Sequence, residues 1–261
     1  MKSMSAVLSV VYGLVVYAFF LATFLYAMGF VGNVAVPRSI DTGPAGPVAG
    51  ALIVDALLLG LFAVQHSVMA RRSFKRWWTR IVPPALERST FVLAATLALA
   101  LLLWQWRPIV QPTIWRVEDP AGIVVLEAVY WLGWSVVLLS TFLISHFELF
   151  GLVQVLARLR GRDLPRPRFV TPLLYRWVRH PIYLGFLLAF WAAPVMSTGH
   201  LVFSIATTGY ILVGIAFEER DLIAQFGGRY RSYREQVGML LPRPWRKRRP
   251  SDAVSPPGTL G

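Results

Sequence analysis

The chain has 261 residues, 56% of them hydrophobic, with a formal net charge of +13 and no cysteine. A mean hydropathy of +0.57 and long uncharged runs exclude an ordinary soluble domain. The missing cysteine excludes disulfides, thiolate metal sites and a cysteine nucleophile. The four histidines (His66, His146, His180 and His200) show no HExxH-type spacing, so no metal site is predicted.

Four apolar runs, Ala6–Phe30, Val48–Met69, Thr90–Trp106 and Ile123–Ser145, each approach the ~20 residues needed to cross a ~30 Å hydrocarbon core. The first is too long for a signal peptide and lacks a small-residue cleavage site. Residues 71–89 place Phe74, Trp77 and Trp78 among basic side chains and predict an interfacial connector with a short amphipathic helix. The polar, proline-rich stretch 158–172 separates a four-helix part, residues 1–157, from a C-terminal region, residues 158–242, of the same membrane domain. A fifth apolar region, Tyr183–Phe217, is interrupted by Pro194 and Gly199-His200. Its first half, about 14 residues or ~21 Å at ~1.5 Å per residue, is short for a span, so a helical hairpin is predicted with one arm not crossing fully. Tyr230, Tyr233 and Val237 lie at i, i+3 and i+7 and predict an amphipathic helix after Gly228. Residues 243–261, basic and then rich in Pro, Gly and Ser, predict a disordered tail. The predicted fold class is therefore all-α. It is a polytopic membrane bundle of four transmembrane helices, a C-terminal helical hairpin and cytoplasmic amphipathic helices.

The charge sits in alternate loops. Lys2, six basic residues between Arg71 and Arg88, seven between Arg158 and Arg179 and nine between Arg220 and Arg249 make 23 of the 26; loops 32–47 and 107–122 hold only Arg38, Arg107 and Arg116. This asymmetry predicts a cytoplasmic N-terminus and a cytoplasmic C-terminal region. It makes anionic lipid headgroups, rather than nucleic acid, the partner of the basic surface.

Ionisable groups in or beside membrane helices are expensive and mark candidates for function. Asp55, near the start of the second helix, reads as shallow, and Glu127, near the start of the fourth, as solvated. His66 lies near the cytoplasmic end of the second helix, with His146 and Glu148 at the same end of the fourth. Arg179-His180-Pro181-Ile182-Tyr183-Leu184-Gly185 lies at that level too. Proline in a first turn predicts that the hairpin's first arm starts at His180-Pro181. Its open backbone N–H groups suit an anion such as a carboxylate. Arg179 and His180 add donors, Tyr183 follows one turn later, and Gly185 permits close packing. Glu218 and Glu219, at the far end of the hairpin, can accept from an ammonium group or ribose hydroxyls. A ligand with an amino acid end and a nucleoside end would satisfy both, although the pattern alone does not identify it.

The order RHPIYLG, apolar hairpin, EER, FGGRYRSY and LLP over residues 176–242 resembles the C-terminal signature of the isoprenylcysteine carboxyl methyltransferase superfamily. Phospholipid N-methyltransferases and the C-terminal part of sterol reductases look similar. The resemblance implies S-adenosyl-L-methionine as cofactor. It carries His180, Pro181, Tyr183, Gly185, Glu218, Glu219, Tyr230 and Tyr233 as cofactor-site candidates, beside Arg179 from the donors at the helix start. In the N-terminal part, QHSVMA from Gln65, FKRWW from Phe74, ERST from Glu87 and LWQWRP from Leu103 resemble the nurim family, within it the bacterial enzymes that methylate methanethiol. That likeness covers most of residues 50–242 and implies a small thiol substrate and a bacterial cell-membrane location. Because the thiolate is the nucleophile, a nearby base would help; His146 comes first, then His66 and Glu148. A lipid or prenylcysteine methyltransferase, a sterol-reductase-like protein and a non-enzymatic membrane scaffold stay open as alternatives.

Overall fold

The computed structural model describes residues 2–164 and 169–243. The predicted tail beyond Arg243 lies outside them, as does the middle of the 158–172 connector. Five helices are long and apolar enough to cross a bilayer: α1 (Lys2–Gly32), α2 (Val48–Ala70), α4 (Pro84–Gln105), α5 (Pro120–Ile144) and α9 (Thr198–Phe226). Short helices join or follow them: α3 (Arg72–Trp78), α6 (His146–Leu149), α7 (Leu152–Leu159), α8 (Pro181–Trp191) and α10 (Gly228–Gln236). Two short strands, β1 (Thr113–Arg116) and β2 (Val195–Ser197), pair antiparallel. Leu57, Val64, Val124 and Leu132 stand exposed on the long helices. Apolar surface of that extent fits a multi-pass integral membrane protein.

Side-chain contacts set the direction of the spans. Tyr12 bonds Thr90 and Phe30 packs on Trp106, so α1 and α4 run parallel. Phe24 meets Trp134 and Tyr17 bonds His146, so the α5 strand of the chain returns antiparallel to α1. The described basic residues at Arg71–Arg88, Arg176–Arg179 and Arg220–Arg234 therefore gather at one end, and loops 33–47 and 106–119 at the other. The main core joins Phe30, Leu102, Trp106, Tyr130, Trp134, Ala189 and Phe203 from five helices. The packing of α8 on α5 centres on two glycines: a Cβ on Gly133 or Gly185 would stand 2.6 Å from the other's carbonyl oxygen. Only two hydrogens let the backbones come so near.

The third span begins at Pro84 rather than Thr90, since proline is tolerated in the first turn. Arg88 lies inside this helix, where its Nε donates to the Leu149 carbonyl at 2.6 Å and its guanidinium covers the Phe91 ring. Its charge marked the residue for a loop; its partner is contributed by a segment 61 positions away.

The hairpin's short first arm has a mechanical explanation. As a helix it has 11 residues, or about 16 Å at ~1.5 Å per residue. Trp191, its last residue, donates to Thr208 of α9, ten residues inside that helix. Ala192–Ser197 cover the remaining distance without helix, and their backbone groups need partners. Strand β1 folds in from the 106–119 loop to supply them, pairing Thr113 with Ser197 and Arg116 with Val195, while Trp115 donates to the Ala193 carbonyl. Ser197 then caps α9 by accepting from the His200 N–H at 3.1 Å.

Asp55 is buried against the end of another helix. It is 1% exposed, and its Oδ1 accepts from the Arg107 N–H at 2.9 Å, just beyond the end of α4. Glu127 is exposed, as expected.

Candidate functional site

The 179–185 motif is anchored from three directions. Helix α8 begins at Pro181 with His180 at its N-cap, and no side chain caps it. The N–H groups of Ile182 and Tyr183 therefore lack helical partners. The C-terminal segment runs alongside: Arg179 N–H donates to the Gly238 carbonyl at 2.8 Å and His180 N–H to that of Met239 at 3.2 Å. Gly238 is obligatory here, since a Cβ would fall 1.8 Å from the Leu241 oxygen. From the third side, Arg179 Nε donates to Glu219 Oε1 at 2.8 Å, and its Nη1 to the carbonyls of Arg234 (3.0 Å) and Val237. One guanidinium thus ties the start of α8 to the end of α9 and to α10, using the fork geometry that a lysine lacks.

The two glutamates have different positions. Glu219, its side chain 12% exposed, takes His180 Nε2 at 3.2 Å and Arg234 at 3.6 Å besides Arg179. Glu218 is 45% exposed and faces His180 Nδ1 at 3.8 Å and the Tyr183 hydroxyl. Tyr230 is 2% exposed, and its hydroxyl has no hydrogen-bond partner among the described residues. Burial, reinforced by Glu219, pushes its phenol well above the ordinary range. Tyr233, raised to about 12 by burial, donates to the Tyr175 carbonyl. Burial likewise raises the Tyr175 phenol, with Glu218 adding to it. These phenols are donors at neutral pH. Phe169 packs on Phe226, Tyr230 and Tyr233 and closes this side. Eight of the nine cofactor-site candidates thus fall in one neighbourhood; Gly185 packs instead against Gly133 and Val137 of α5.

The three candidate bases do not form one cluster. Both ring nitrogens of His146 are engaged within the chain, Nε2 with Tyr17 Oη and Nδ1 with Thr141 Oγ1, each at 2.8 Å. Phe142 stacks on it at 4.2 Å, and burial holds its pKa below the ordinary histidine value. His66 Nδ1 pairs with the Tyr210 hydroxyl of α9 at 2.9 Å, and its Nε2 makes no hydrogen bond among the described residues. The two histidines border one apolar cluster: His66 packs on Phe91 and His146 on Phe150; Phe91 forms the cluster with Val16 and Val92, and Phe150 packs against it. Glu148 is exposed and touches neither histidine. Sequence reasoning missed Tyr175, Tyr210, Arg234 and Gly238. For Tyr210 a signal existed, because it stands eight residues, or two turns at 3.6 residues each, before Glu218.

Among curated proteins, the chain is 58% identical over 243 residues to a methanethiol S-methyltransferase of Mycobacterium tuberculosis, covering 93% of this chain and 99% of that one. It is 58% identical over 237 residues to methanethiol S-methyltransferase 1 of Bradyrhizobium diazoefficiens, covering 90% and 82%. Bovine nurim is 31% identical over 183 residues, covering 66% and 68%. No protein-family model and no solved structure matches.

Proposed function

The chain belongs to the methanethiol S-methyltransferase family, within the wider nurim group, and from that premise we propose that it transfers a methyl group to methanethiol, giving dimethyl sulfide. The observation that carries this is 58% identity across 99% of a relative bearing that name. The methyl donor we assign is S-adenosyl-L-methionine, whose sulfonium supplies an activated methyl group for in-line displacement.

The residues fit such a donor. An uncapped helix start with free N–H groups at Ile182 and Tyr183 suits a carboxylate, and Glu218 stands ready for an ammonium group or ribose hydroxyls. The Tyr230 hydroxyl is a buried donor in need of an acceptor, which a bound polar ligand supplies. Glu219 acts behind them, holding Arg179 and His180 in place. Of the candidate bases, His66 is the best placed, because His146 already spends both nitrogens inside the chain and Glu148 is exposed. The apolar, aromatic interior needs no charge to admit a small thiol, and excluding water favours the displacement. We assign the basic end to the cytoplasm of a bacterial cell, where the donor is available, with both termini there. Anionic headgroups contact that surface.

Purified protein supplied with methanethiol and S-adenosylmethionine carrying a labelled methyl group should release labelled dimethyl sulfide, detected by gas chromatography. His180→Ala should abolish it. Binding of the donor with no labelled product from any thiol would overturn the assignment.

A further inference from the structure

We propose that Tyr210 contacts the acceptor thiol and relays its proton to His66, with the thiol seated over Gly214 beside Tyr183; this rests on the methyltransferase reading above. Tyr210, Gly214 and Glu218 follow one another at four-residue intervals on one face of α9, about 6 Å apart along the axis. Tyr183 of α8 leans across that face. Its hydroxyl would lie 3.8 Å from a Cβ on Gly214 and faces Glu218. The lane therefore has the donor-binding carboxylate at one end and a tyrosine at the other. Between them is one residue without a side chain. A group of one or two heavy atoms is what such a place admits.

The far end of the lane is built for proton transfer. Tyr210 Oη and His66 Nδ1 lie 2.9 Å apart; with the imidazole proton on Nε2 the hydroxyl donates, which leaves lone pairs on its oxygen for an S–H. The Ser67 hydroxyl lies 3.5 Å from the same oxygen. Phe62 stacks on the His66 ring at 5.6 Å and Phe91 packs at 5.1 Å, which fixes its orientation. Both Tyr210 and His66 are only half-buried, although they sit inside helices long and apolar enough to span. Polar pairs left open at that depth line cavities or pathways rather than lipid. The charged groups facing them are Arg88 of α4, toward His66, and Arg71, toward Tyr210.

The step balances. The S–H proton moves to the Tyr210 oxygen as the tyrosine proton moves to His66 Nδ1, and the sulfur lone pair forms the new C–S bond. The methyl–sulfonium bond breaks with its electron pair staying on the donor sulfur. Neutral thioether, neutral donor product and an imidazolium result.

The test uses two thiols of similar size and different acidity, ethanethiol and 2,2,2-trifluoroethanethiol, whose fluorines favour the thiolate. Tyr210→Phe should lower kcat for ethanethiol by about 10²–10⁴, the usual range for general acid–base catalysis, with KM little changed. The loss for the fluorinated thiol should be under about tenfold, and ethanethiol turnover should climb as pH rises, because the thiolate fraction grows about tenfold per pH unit. His66→Gln, on a different helix, must reproduce the pattern, so a folding defect in one variant does not decide the matter. Unchanged donor affinity by calorimetry separates this result from a failed donor site. Equal losses with both thiols, or undiminished ethanethiol turnover in either variant, would overturn the relay.

Discussion

Glu219→Ala removes the carboxylate that holds the 179–185 motif to the bundle. The side chains of Arg179 and Glu219 are 6% and 12% exposed, and their contact is 2.8 Å. Alanine leaves the guanidinium buried, still bonded to the carbonyls of Arg234 and Val237 but without its counter-charge. Breaking a buried pair from one side costs about 3–5 kcal/mol, which at about 2–4 °C per kcal/mol lowers Tm by roughly 6–20 °C. Glu219→Gln keeps an oxygen for Arg179 Nε, so its loss should stay nearer the worth of a charge-assisted hydrogen bond, about 1.5–3 kcal/mol. Arg179→Met combined with Glu219→Ala removes both charges and should be more stable than Glu219→Ala alone. Thermal unfolding of detergent-purified protein, followed by tryptophan fluorescence, measures all three against the parent. A Glu219→Ala protein within about 2 °C of the parent would refute the reasoning, and if it had also lost donor binding, Glu219 would be a ligand contact instead.

Gly185→Ala drives a methyl group to within 2.6 Å of the Gly133 carbonyl and 2.9 Å of the Val137 nitrogen. Backbone cannot yield as a side chain can, so a loss above about 3 kcal/mol should appear as failed extraction of monodisperse protein; near-parental Tm would contradict this packing. Gly238→Ala should release the segment that pairs with Arg179 and His180 and weaken donor affinity at least tenfold by calorimetry, with helix content by circular dichroism unchanged. Burial lowers the His146 pKa, so below about pH 6.5 the unfolded chain binds this proton more readily than the folded one. The stability is complete above that pH and is lost as pH falls. Between pH 7.5 and 5, Tm should drop more steeply in the parent than in His146→Gln; parallel slopes would contradict it.

The spans were legible because an apolar run of about twenty residues has few other uses. The start of α8 was legible because His180-Pro181 joins a residue that ends one geometry to one that begins the next. The strand β1 was not. Thr113–Arg116 looks like ordinary loop, and its partner Val195–Ser197 lies some eighty positions on, so no local pattern announces the pairing. The burial of Asp55 was hidden for the same reason: its partner, the Arg107 N–H, is far along the chain. At the site, residue types named the neighbourhood but not the division of labour. Adjacent glutamates look alike in sequence, and only the fold turns Glu219 toward Arg179 and Glu218 outward.

The short first arm also bears on how the protein comes to be made. Eleven helical residues are too few to be taken up by the bilayer as an independent span, and the six that follow expose their backbone until β1 covers them. This arm can enter only against α5, glycine to glycine, with α9 drawn in behind it. The proposed donor site stands on the first turn of that arm, so it depends on the contacts that hold the arm in the bundle. A chain arrested before α9 is inserted would lack Glu219, the partner of Arg179 and His180, and with it the frame of the proposed donor site.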